Sequence, residues 1–236
     1  MDLTNFRERF VYWGLLISLI LSFSVTPLFD ESIRPLNIFI LSTLGFSVWA
    51  ISITRKRLLL GMALAIPIIV FSIISISSDN IIYITAFYLL AVLFFTYIIS
   101  AFLIDIFSHT RVDTNRLLSA ICVYLCMGII WAMLYGLIDI HDPAAIKIPA
   151  GDTTFSRINE LMYFSFVTLT TLGYGDVIPL SNPARSLAAV EALVGQLYLT
   201  VLVARLVGLH IAVQSPDSIQ HHHAAQADGR EPTPPG

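Results

Sequence analysis

Charge is what this sequence has least of. Only 12% of its 236 residues are Asp, Glu, Lys or Arg, about half the share usual in soluble domains. With 56% hydrophobic residues and a mean hydropathy of +0.80, that scarcity excludes an ordinary water-soluble domain. The net charge of -3 comes with no basic patch, so nothing argues for a nucleic-acid partner. Cysteine is equally sparse: Cys122 and Cys126 stand alone, one helical turn apart in an apolar run. They are too few for a metal site and read as small buried side chains. No nucleophile, base and metal ligands cluster together, so the sequence does not read as an enzyme and no cofactor is expected. The internal repeats of a transporter are also missing.

What is present is apolar length. A helix needs about 20 apolar residues to cross the hydrocarbon, and six runs qualify: residues 10–29, 36–54, 58–77, 81–107, 117–140 and 184–213. The first is longer than a signal-peptide core and no Ala-x-Ala pattern follows it, so it is read as a helix. An all-α membrane protein with six transmembrane helices is expected. Lys and Arg mark the cytoplasmic side. Arg7 and Arg9 precede the first run, Arg55, Lys56 and Arg57 join the second to the third, and Arg111 and Arg116 join the fourth to the fifth. The opposite connections hold Asp30, Glu31 and Arg34, then a polar stretch with Asp139, Asp142, Lys147, Asp152, Arg157 and Glu160. Both termini are thus expected in the cytoplasm of a plasma (inner) membrane protein. Residues 214–236 are rich in Gln, Ser, His, Ala, Gly and Pro and suit a disordered tail. His221, His222 and His223 lie within it and read as solvated rather than metal-binding.

Between the last two runs, residues 155–172 are too short and too polar to cross, yet carry an apolar face. They read as a re-entrant helix followed by a loop. Non-helical backbone at membrane depth is tolerated only where protein buries it or water lines it, so a pore or cavity is implied. The segment ends in Thr168-Leu169-Thr170-Thr171-Leu172-Gly173-Tyr174-Gly175-Asp176.

That run resembles the selectivity filter of potassium channels. Residues 117–209 are similar to the outer helix, pore helix, filter and inner helix of prokaryotic potassium channels with six spans per subunit. The resemblance implies a homotetramer in the lipid bilayer with K+ as permeant ion, coordinated by carbonyls of Thr171, Leu172, Gly173 and Tyr174 and by the Thr171 hydroxyl. Gly173 and Gly175 stand where the backbone must take φ > 0 to turn successive carbonyls one way. Thr168 and Thr170 belong to the matching run. Leu172 departs from the usual Val or Ile, and Val167 replaces an acid that in several relatives shares a proton with Asp176. Tyr163 stands where relatives often carry a tryptophan that bonds this aspartate. A Tyr163–Asp176 hydrogen bond is therefore expected, with an interfacial aromatic as the alternative.

The pore helix, from about Ser156 to Thr168, turns the negative end of its dipole towards a cation, with Thr154 or Ser156 as cap. The last span starts at Ser181-Asn182-Pro183, and Arg205 snorkels at the cytoplasmic interface. Gly195 is either a hinge or a small residue for close packing. Gln196, Leu199, Val203 and Val207 share a face assigned to the cavity and gate. Glu191 lies at a depth where an acid is costly. Either it bonds the back of the pore helix near Ser165 or Thr168 and tunes the filter, or it snorkels outward.

Residues 1–107 form a four-helix domain, 108–116 a cytoplasmic linker and 117–213 the pore domain. Run 81–107 holds Asp105 but no Lys or Arg, so it cannot be a conventional voltage sensor. Potassium-selective conduction without steep voltage dependence is expected. A weakly selective cation channel and a non-conducting accessory subunit of the same fold are the alternatives.

Overall fold

A computed structural model describes the backbone of residues 3–24, 35–51, 55–77, 80–108, 114–148 and 154–227. It describes side chains over 10–22, 41–51, 55–74, 80–108, 114–148, 157–205 and 207–208. Asp30, Glu31, Arg34, Arg111, Asp152 and the side chains of Arg7, Arg9, Thr154, Ser156 and the three tail histidines lie outside the described residues.

The chain is helical: α1 (Leu3–Ser24), α2 (Pro35–Ile51), α3 (Arg55–Ser77), α4 (Ile81–Ser108), α5 (Thr114–His141), α6 (Thr154–Leu169) and α7 (Asn182–Ala227). Strands β1 (Ile146–Lys147) and β2 (Ile178–Pro179) pair antiparallel, Ile146 with Pro179 and Lys147 with Ile178. Helix ends follow local chemistry. Asn80 caps α4, its Oδ1 accepting the Ile82 N–H at 3.0 Å. Pro143, which has no N–H, follows α5, and Asp142 Oδ1 accepts the Ala144 N–H at 3.1 Å. Ser181 Oγ caps α7, accepting the Ala184 N–H at 3.3 Å, with Pro183 in the first turn as expected.

Among the described residues, four helical segments are long and apolar enough to cross a membrane: Arg55–Ile74, Ile81–Ser108, Thr114–His141 and Asn182–Arg205. The apolar stretches in α1 and α2 are shorter, Phe10–Ser22 and Leu41–Ile51. Two expectations change. The linker shrinks, because Ser108 closes α4 and residues 114–116 open α5; residues 109–113 lie outside the described residues. The tail is not a coil from residue 214 onward, since α7 continues to Ala227. Polarity suggested disorder there, and the helix nevertheless runs through Pro216 to Ala227; Ala224, Ala225 and Gln226 near its end are good helix formers, and Pro232, Pro234 and Pro235 lie beyond it.

α4 lies along α5, α3 along α4, and α1 against both α2 and α5. Leu15, Ile68, Phe94, Ile98 and Val123 form the inaccessible centre of one core that joins α1 through α5. A second core holds Tyr135, Ile146, Leu161, Phe164, Val177 and Ala184, and joins α5 and α6 to the strands and α7. Glycine decides two of the contacts. A Cβ on Gly128 would lie 2.6 Å from the Phe166 ring, and one on Gly136 would lie 2.5 Å from the Tyr88 ring. Aromatic side chains of α6 and α4 therefore reach the α5 backbone itself. The strands tie the α5–α6 connection to the α6–α7 connection, with Ala145 O also accepting the Leu180 N–H at 2.8 Å.

Candidate functional site

Helix α6 ends at Leu169 with carbonyls that have no partner within the helix. The following loop uses them. Phe166 O accepts the Thr170 N–H at 3.1 Å and the Thr170 hydroxyl at 2.7 Å, and Thr168 O accepts the Thr171 N–H at 2.9 Å. Val167 O accepts the N–H groups of Leu172 at 2.9 Å and Gly173 at 3.3 Å. The loop is thus folded back onto the helix end. Its backbone is left-handed at alternate positions, with φ of +59° at Thr171, +57° at Gly173 and +81° at Gly175. Glycine takes this conformation freely. Thr171 is β-branched and takes it at a cost of about 1–3 kcal/mol, held by the bonds on either side. Sequence reasoning named the two glycines and missed Thr171. Leu172 and Tyr174 are 55% and 69% exposed, so the loop projects from the protomer.

Tyr163 Oη donates to Asp176 Oδ2 at 2.8 Å, the expected pair, and the Val177 N–H donates to Oδ1 at 3.0 Å. These donors, the phenol foremost, hold the Asp176 carboxyl below the usual carboxylate range. Val167 is buried and places only methyl groups where an acid would have stood.

Glu191 is wholly inaccessible. Its Oε2 accepts the Tyr135 hydroxyl at 2.6 Å, and its Oε1 lies 2.6 Å from Ser165 Oγ. Ser165 Oγ is also 2.8 Å from the carbonyl oxygen of Gly128. Of the two expected partners, the hydroxyl of Ser165 makes the contact. Thr168 instead gives its carbonyl to the loop after α6, accepting the Thr171 N–H. Outward snorkelling is ruled out by the burial. Tyr135 was missed, although a tyrosine inside an apolar run signals a hydroxyl that needs a partner. Its ring also meets Phe164 edge-on at 4.8 Å.

A Cβ on Gly195 would fall 2.4 Å from Leu169 O, so here the glycine serves close packing of α7 against the end of α6. One residue later, Gln196 Nε2 donates to Thr171 Oγ1 at 3.3 Å. Gln196, Leu199, Val203 and Val207 are all exposed in the protomer. The N-terminal end of α6 is fixed separately: Arg157 makes two bonds to the Asp139 carboxylate, Nε to Oδ2 at 2.8 Å and Nη2 to Oδ1, and a third to Pro143 O at 3.2 Å. The two charges stood in one polar stretch of sequence, but nothing there paired them. Arg205 does more than snorkel. It donates to Ile106 O at the end of α4 and sits over the Phe107 ring, 4.4 Å from its centroid. Among the described residues no three His, Cys, Asp or Glu side chains form a metal site.

Residues 119–210, which take in most of α5, all of α6, the loop after it and the apolar part of α7, match the model of the "Ion channel" family. The chain is similar to Protein LctB of Bacillus caldotenax, 32% identical over 100 residues that cover 41% of this chain and 74% of that protein. It is also similar to Two-pore potassium channel 1 of Arabidopsis thaliana, 27% identical over 126 residues, 53% of this chain and 32% of that protein. The match is to a channel, not an enzyme. With α6 and its following loop inside that match, this chain belongs to the ion-channel family.

Proposed function

We propose that the chain is one subunit of a homotetrameric, potassium-selective channel that passes K+ down its gradient through residues 171–174. The observation that carries this reading is the alternation of left-handed backbone at Thr171, Gly173 and Gly175, pinned to the end of α6 by the Val167 carbonyl. Interposing such residues lets successive carbonyls face one way and replace an ion's water. The protomer leaves the loop uncovered, together with Leu193, Leu197, Val201 and Val203 of α7. A pore wall and a contact between copies both need such a surface. In this reading six helices span a plasma (inner) membrane with both termini cytoplasmic, α1 and α2 included. Residues 1–107 act as a non-sensing periphery, because α4 has Asp105 but no Lys or Arg. Gln196, Leu199, Val203 and Val207 line the cavity and gate.

The test is potassium flux from vesicles holding the purified chain as verified tetramers. Barium-sensitive flux and a reversal potential that follows K+ rather than Na+ are expected. Tetramers without flux overturn the proposal in favour of an accessory subunit, and a reversal potential between the two ions favours a weakly selective channel.

Tyr163→Phe removes the main donor to Asp176. The depressed carboxyl pKa then rises towards about 3.9. Because the charged form exists above the pKa, acid-induced loss of flux begins at a higher pH in the variant than in the wild type. Flux measured over roughly pH 3 to 6 on the filter side checks this. Superimposable curves mean that the bond has no role in holding the filter.

A further inference from the structure

A cavity of about 150 Å³ lies where the four N-terminal helices meet the pore helix. Leu44 of α2, Ile68 of α3, Phe95 of α4 and Met133 of α5 make its apolar walls, and Asn159 and Tyr163 of α6 form one side. Polar atoms are few. Ser22 Oγ donates to Leu19 O at 2.8 Å, and Thr43 Oγ1 is bonded to Ser18 Oγ at 2.8 Å. The Asn159 amide is different: it is partly exposed, and no hydrogen bond joins it to another described residue. A well-held water needs two to four polar partners, roughly three on average, which this lining does not offer, whereas an apolar space of about 150 Å³ is large enough for a benzene-sized guest. Flexible Met133 and Met162 in the wall allow fitting to such a guest.

From these features we infer that the cavity is a binding site for an uncharged, single-ring amphiphile with one hydrogen-bonding group, such as an aromatic alcohol. The ring fills the apolar space and its hydroxyl meets the Asn159 amide. An occupant also touches Tyr163, whose hydroxyl holds Asp176 behind the filter. Occupancy therefore alters flux, and this second half rests on the channel reading above.

The probe is 4-fluorobenzyl alcohol, followed by fluorine NMR line broadening on the full chain in detergent. Saturable binding is expected for the wild type. Ala91, buried in the cavity wall, is replaced by Leu to fill the space and abolish binding. Asn159→Leu keeps the chamber but removes the amide and is expected to weaken binding about five-fold, the worth of one hydrogen bond. Asn159→Leu also serves if Ala91→Leu does not fold. No saturable binding by the wild type, or binding unchanged in the variants, overturns the site. Flux through the same protein in vesicles is read beside it. Flux that is present but unmoved at saturating probe overturns the coupling. Absence of flux in every sample instead defeats the channel reading, and the NMR result still decides the site.

Discussion

Gly175→Ala abolishes potassium flux while leaving the fold intact. At φ = +81° an L-residue is strained, yet a Cβ there would meet nothing within 4 Å. Within the chain the penalty is therefore conformational, about 1–2 kcal/mol per residue. In the proposed four-fold filter, which must hold its shape as a unit, four such penalties come to about 4–8 kcal/mol, which empties the conducting conformation roughly a thousand-fold or more. D-alanine introduced at the same position by chemical ligation restores flux, because its mirror-image preference is for φ > 0. Gly195→Ala makes the contrast. That glycine is helical, and the Cβ of L-alanine collides with Leu169 O, while D-alanine is disfavoured by the right-handed helix itself, so neither restores flux there. Flux and tetramer content of each protein are the measurements. Wild-type flux from the L-alanine variant at Gly175 would show that the left-handed backbone is not needed for conduction.

Gly175 was also legible before any coordinates, and the reason separates what sequence can show from what it cannot. A filter is local: its chemistry lies in consecutive residues, and a glycine that must take φ > 0 is visible as a glycine. Apolar runs are local too, so the seven helices and the Ser181 cap were readable. What stayed hidden depends on residues far apart in the chain. Tyr135 and Glu191 are 56 positions apart, and Arg205 reaches back to Ile106, 99 positions away. Nothing in a single sequence marks such partners. The Tyr163–Asp176 bond was expected from the family resemblance, which places Tyr163 where relatives often carry a tryptophan that bonds this aspartate. For Gly195 the sequence left hinge and packing open, and only the position of Leu169 O distinguishes them. For the tail, polarity pointed to a coil from residue 214, whereas α7 runs on to Ala227 although Ser215, Pro216 and Asp217 are weak helix formers.

The group that joins all three pore elements carries the second large effect. Glu191→Ala leaves the Tyr135 hydroxyl buried without its acceptor and Ser165 without one of its contacts, at about 1–3 kcal/mol for each such loss. The thermal transition of the pore falls and tetramers are lost. Glu191→Gln behaves differently, and a count of protons shows why. Ser165 has one hydroxyl proton, yet two oxygens lie within bonding distance, Gly128 O at 2.8 Å and Glu191 Oε1 at 2.6 Å. A carbonyl cannot donate, so both contacts are hydrogen bonds only if Ser165 donates to Gly128 and the carboxyl of Glu191 donates to Ser165. Glu191 then acts as a neutral acid that gives one bond to α6 and accepts one from Tyr135 of α5. A glutamine amide has the same donor and acceptor, so Glu191→Gln keeps near-wild-type stability. Infrared difference spectra decide the protonation: the wild type shows a protonated-carboxyl band that Glu191→Gln lacks. If that band is absent, or if glutamine destabilises as much as alanine, Glu191 is a charged anchor and the proton assignment fails.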